Sequence, residues 1–148
     1  MSKNDNLLEY SIPQLLRWRV EKTPKSSALR EKDFGIWNTY TWKDYYDHVR
    51  KTALGLKAVG IDKGDVIAII SDNIPEVLFT AIGAHSIGAI SAGIYQTSMP
   101  AEIAQILGYL KVSAVFCDNQ EQVDKVLDVR DQIPNVKKVI FEDPRGMR

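Results

Sequence analysis

The chain has 148 residues, 45% apolar and 26% charged, with 19 basic side chains balanced by 19 acidic ones. That length and composition suit one globular domain, which removes about 68–70% of its unfolded surface from water, and exclude intrinsic disorder. Zero net charge offers nucleic acid no basic surface, and the single cysteine, Cys117, excludes an internal disulfide and fits a reducing cytoplasm.

The opening "MSKNDNLLEY" lacks the apolar stretch of a secretory signal. "SIPQLLRWRVEKTP" follows as a first helix, with Ser11 as cap, Pro13 in its first turn and Pro24 as its stop. "SALREKDFGIWNTYTW" predicts two strands around a Lys32–Gly35 turn, and Phe34 leaves the turn type open. From Thr41 to Val59 the pattern is helical. Thr41 and Asp44 form a near capping box, Tyr45, Val49, Ala53 and Leu56 share a stripe, and Gly60 suits the left-handed position past the end.

"IDKGD" turns the chain into a strand, "VIAII", residues 66–70. Asn73 is expected to cap a helix with Pro75 in its first turn and Glu76 three residues on. The 25 residues between Glu76 and Glu102 carry no charge except at His85, long enough to raise a membrane-spanning helix. Gly83, Gly88 and Gly93 interrupt that run and no basic flank orients it, so a buried helix and a buried strand, "AISAGIY", are expected instead. Ser98 is expected to cap the next helix, in which Ile103, Ile106, Leu107 and Leu110 recur at helical spacing. "SAVFC" is a third strand. Asn119 with Gln122 opens a further helix that turns Val123, Val126, Leu127 and Ile133 inward, and "KKVIF" is a fourth strand. Residues 65–141 thus read β-α-β-α-β-α-β, an α/β fold whose parallel sheet has helices on both faces.

Ligands on such sheets collect outside the carboxyl ends of the strands. The residues delivered there are Ser71, Asp72 and Asn73; Tyr95, Gln96, Thr97 and Ser98; Asp118 and Asn119; and Glu142 and Asp143. Caps explain most of the Ser and Asn among them. Tyr95, Gln96 and Thr97 exceed what a connection needs, and they are the candidate rim of a substrate crevice. Neither G-x-x-x-x-G-K-[ST] nor G-x-G-x-x-G occurs, His48 and His85 lack partners at metal-ligand spacing, and Cys117 closes an apolar run as a buried, inert thiol. The aromatics Trp37, Tyr40, Trp42, Tyr45 and Tyr46 are expected to pack together, with few cations for company.

Three stretches resemble the adenylate-forming AMP-dependent synthetase and ligase superfamily, and within it the long-chain fatty acyl-CoA synthetases. They are "YTWKDYYDHVRKTALGLKAVGIDKGDVIAIISDNIPE", "AHSIGAISAGIYQTSMPAEIAQIL" and "DNQEQVDKVLDVRDQIPNVKKVIF". "LREKDFGIW" and "DPRGMR" are similar to a bacterial branch. The resemblance implies residues 1–26 as an N-terminal helical segment and 27–148 as the first part of a large ligase domain. It implies ATP, magnesium and coenzyme A as substrates of a full-length enzyme acting on a fatty acid, none of them held by this segment. The phosphate loop, adenine segment, ribose-binding aspartate and adenylation lysine of the family have no matching position here, so no catalytic or metal residue is assigned and the segment alone is expected to be inactive. The expected location is the cytoplasm, at the membrane periphery or free of it, and an open sheet edge predicts self-association. From the residues alone, a stand-alone flavodoxin-like signalling or binding domain and a structural interaction module stay open. The signalling reading lacks the lysine that a phosphoacceptor domain places after a late strand, where this chain has "VIFED".

Overall fold

A computed structural model describes residues 7–145. The first six residues, read as lacking a signal, and the last three of "DPRGMR" lie outside them. In chain order the elements are α1 (Ile12–Lys22), β1 (Ser27–Asp33), β2 (Ile36–Thr41), α2 (Trp42–Ala58), β3 (Val66–Ile70), α3 (Pro75–Ser86), β4 (Ile90–Ile94), α4 (Pro100–Tyr109), β5 (Ala114–Cys117), α5 (Gln120–Asp128) and β6 (Lys138–Phe141). β1 and β2 form an antiparallel hairpin; the other four strands are all parallel, in the order β4-β3-β5-β6. The α/β expectation is met.

Strand alternation sorts the sheet's side chains onto two faces. Ala68, Ile70, Val115 and Cys117 meet Ile103 and Leu107 of α4 and Val123 and Val126 of α5. Ile67 and Ala114 meet Leu56 of α2 and Ala84 of α3 on the other face. Each fully buried Val, Leu or Ile among them contributes about 1.5–3 kcal/mol of transfer free energy, an upper estimate. α3 is sandwiched between α2 and the sheet as its nearly all-round apolar sequence requires. A Cβ on Gly83 would lie 3.1 Å from Thr52 Cγ2 and 3.2 Å from the Ala53 nitrogen, so the missing side chain is what lets the two helices approach. Leu127 departs from expectation: it is exposed, because Val123 and Val126 already fill the inward stripe of α5.

The hairpin base belongs to a third cluster, in which Leu16, Tyr45, Val49 and Phe79 are flanked by Ala28, Leu29, Tyr40, Trp42 and Tyr46. The aromatic grouping expected from sequence is therefore right for four of its five members. Trp37 is separate and exposed, and cations do accompany the group: Arg30 and Lys32 lie over Trp37 at 5.1 and 5.9 Å, and Arg19 over Trp42 at 5.3 Å. His48 stacks on Phe79 with centroids 4.6 Å apart, and His85 Nε2 pairs with Ser91 Oγ at 3.0 Å, so both histidines have structural partners. Among the described residues no helix is long and apolar enough to cross a membrane.

Candidate functional site

The chain leaves β3 for β4 on one side and then passes to β5 on the other, which makes the gap between the ends of β3 and β5 the switch point of the sheet. Asp118 stands at that point, immediately after β5. It is only 8% exposed, and its Oδ2 accepts a 2.7 Å hydrogen bond from the backbone N–H of Asp72, on the loop after β3. Its carbonyl accepts from the N–H of Asp143 at 3.1 Å, so one residue ties together the loops after β3, β5 and β6. The Asp72 carboxylate in turn accepts from the Gln96 side-chain amide, which brings in the loop after β4. Lys125 of α5 closes the set by donating to the Gln96 carbonyl at 2.7 Å while pairing with Glu121 at 2.8 Å. All four strand-end loops named from sequence are thus joined. Lys125 was not foreseen, because its helix position gives no sign that it reaches back to the rim.

Of the three candidate rim residues, Gln96 is half-buried within this network, Thr97 is exposed, and Tyr95 projects with 86% of its surface free. Tyr95 lines a hollow of about 480 Å³ with Ser71, Asp72, Asn73 and Gly93. A second hollow of about 510 Å³ lies on the other side of Asp72, walled by Glu31, Glu76, Asp118, Glu142 and Asp143. Burial, and then the nearby charges of Glu142 and Glu31, hold the Glu76 carboxyl above its ordinary value. Cys117 beneath the rim has its thiol pushed up to about 12 by burial and by the charge of Asp118, so it is the inert thiol expected.

Two caps differ from expectation for one reason. Asn73 and Ser98 do not cap α3 and α4; Ile74 and Met99 occupy those positions, with φ/ψ of −108°/159° and −76°/153°. Each is followed by a proline, Pro75 or Pro100, and a residue before proline is held in the extended region, which is the conformation of an N-cap. Glu102 still reaches back, its carboxylate accepting from the Met99 N–H at 3.0 Å. Asn119, with no proline behind it, caps α5 as predicted by accepting from the Gln122 N–H at 3.2 Å.

A triphosphate needs cationic or backbone donors around its oxygens. This rim presents carboxylates, and Lys125 and Arg145 are engaged, the latter with Asp143 at 2.7 Å. The residues present do not fit a nucleotide's phosphates. Among the described residues no three His, Cys, Asp or Glu side chains converge closely enough to hold a metal ion.

The chain belongs to the family of AMP-binding enzymes, whose model matches residues 16–147. It is 31% identical over 138 residues to the long-chain-fatty-acid–CoA ligase ACSBG1 of Rattus norvegicus, covering 93% of this chain and 19% of that protein. The chain therefore spans about a fifth of the length of the curated relatives it matches. Its fold is similar to the N-terminal domain of FACL13 from Mycobacterium tuberculosis, with TM-score 0.81 and 24% identity over 88% of this chain and 33% of that one. It is also similar to a putative long-chain-fatty-acid CoA ligase of Rhodopseudomonas palustris, with TM-score 0.79 and 26% identity, covering 92% and 33% of the two chains.

Proposed function

We propose that this chain is the first part of an ATP-dependent long-chain fatty acid–CoA ligase, an enzyme that forms an acyl-adenylate and then the coenzyme A thioester. The observation that carries this reading is the family match across residues 16–147, together with relatives that are ligases of that specificity. The role of the segment is to scaffold. Its joined loops form a stiff carboxyl edge, and Tyr95, Gln96 and Thr97 provide one wall of the fatty-acid crevice. ATP, magnesium and coenzyme A are handled by other parts of the ligase, in keeping with an acidic rim that repels the phosphates of ATP and coenzyme A. Self-association through the open strands β4 and β6 accompanies the isolated segment.

The test is a chimaera in which this chain replaces the corresponding region of the Rattus norvegicus long-chain-fatty-acid–CoA ligase ACSBG1. ATP-dependent thioester formation from a long-chain fatty acid should persist, and Tyr95→Ala in the chimaera should raise KM for the fatty acid several-fold. The segment alone should catalyse no exchange between ATP and pyrophosphate. A folded chimaera with no thioester formation, or robust exchange by the segment alone, overturns the reading.

A further inference from the structure

Lys125 is the one basic side chain on α5, and it is turned away from water. Its side chain is 19% exposed, against 71% for Glu121 one helical turn before it. An ammonium has three N–H donors and no acceptor. Each donor here has an oxygen within reach: the Gln96 carbonyl at 2.7 Å, Glu121 Oε1 at 2.8 Å and Gln122 Oε1 at 3.3 Å. Gln122 is itself 1% exposed, so the third acceptor belongs to the core.

A helix-surface ion pair does not account for this arrangement. An i,i+4 pair with an exposed carboxylate stabilises less than the rotamer freedom that a four-carbon stem gives up when it is held still. What the stem reaches is a backbone oxygen 29 residues upstream, in the loop between β4 and α4. A bond from a charged donor is of the stronger kind.

Gln96 is held from two sides, and the two attachments act differently. Its side-chain amide donates to the Asp72 carboxylate. Several rotatable bonds separate that amide from the backbone, so this bond fixes the amide and leaves the main chain free to pivot. The bond from Lys125 fixes the planar peptide between Gln96 and Thr97 itself. Tyr95 comes just before, and its carbonyl accepts from the Ser98 N–H at 3.0 Å to close the turn. With most of its surface free, Tyr95 takes its direction from this backbone more than from packing around its ring.

We infer, resting on the reading of Tyr95 as a wall of the fatty-acid crevice, that Lys125 is the positioning residue for that wall: it holds the Gln96–Thr97 peptide against α5 and thereby sets the direction of the Tyr95 ring.

The test has two arms. The first uses the chain itself with a nitroxide on Thr97→Cys, since Cys117 is buried and stays unlabelled. Lys125→Met keeps the stem and removes the ammonium, and it should raise the mobility of the label. Lys125→Arg, which keeps a charged donor, should restore most of the wild-type spectrum. The second arm reads the fatty-acid dependence of the ACSBG1 chimaera. Lys125→Met should raise KM roughly 3- to 10-fold with kcat within about twofold, the mark of lost binding. In the Tyr95→Ala background the same substitution should add nothing, because the ring it directs is gone. A lysine that only stabilised the fold would lower Tm and leave the two KM effects to multiply. Label mobility unchanged by Lys125→Met overturns the proposal. So does an active chimaera in which Lys125→Met leaves KM unchanged, or in which its effect persists undiminished beside Tyr95→Ala. A chimaera that makes no thioester defeats the ligase reading alone, and the label then decides whether Lys125 holds the loop.

Discussion

The two faces of the parallel sheet are made from the same strands and are filled differently. On the α4 and α5 face Ile70, Ile103, Leu107, Val115 and Val126 are all at most 1% exposed. The α2 and α3 face closes over β3 and β4 but leaves a groove of about 430 Å³ over β5 and β6, floored by Phe116 and Ile140. Crossover geometry accounts for the difference. The connections that run on to β5 and β6 lay their helices on one face, and only α3, with α2 beside it, serves the other. Interior packing is a property of how the chain crosses the sheet as well as of how apolar its strands are.

Paired truncations are the strongest way to break this contrast. Leu107→Ala, on the filled face, should cost about 2–5 kcal/mol in denaturant unfolding. Ile140→Ala, half-buried at the groove, should cost about half as much, and equal costs would mean that the groove is as well packed as the opposite face. A smaller effect separates the helix starts. Asn119→Ala, which uncaps α5, should cost about 1 kcal/mol, whereas Asn73→Ala ahead of α3 should stay within about 0.5 kcal/mol. Reversal of that order would restore Asn73 as a cap.

The smallest effect sharpens the electrostatics of the open face. Glu76 holds its proton more tightly in the folded chain than in the unfolded one, so stability falls as pH rises from the ordinary carboxylate range through its raised value. Glu76→Gln should therefore stabilise the chain at neutral pH, by less than the cap effect, and change little in acid below that range. Thermal unfolding across pH would show the gain. A variant less stable than wild type at neutral pH would mean that the charge is favourably held.

Much of the architecture could be read in advance, because periodicity is local. All four parallel strands and the stripe Tyr45–Val49–Ala53–Leu56 are where their patterns place them. The misplaced caps were also legible: a proline directly after Met99 or Ile74 moves the cap onto that residue. Trp37 could have been separated from Tyr40 by the two-residue alternation of a strand. The rim's wiring was not legible. Asp72 and Asp118 are 46 residues apart and meet only because β5 lies beside β3, and no local pattern encodes that adjacency. Lys125 has the same difficulty, since its partner carbonyl at Gln96 is 29 residues upstream.

The place of β3 between β4 and β5 has a consequence during synthesis. Ile70 is paired with Cys117, so the ribosome must add 47 residues after "VIAII" emerges before that edge can be closed. At about 5–20 residues per second the nascent chain carries a wholly aliphatic strand with that one edge open for roughly 2–9 s. That interval is the window in which a holding chaperone would find its best target on this polypeptide.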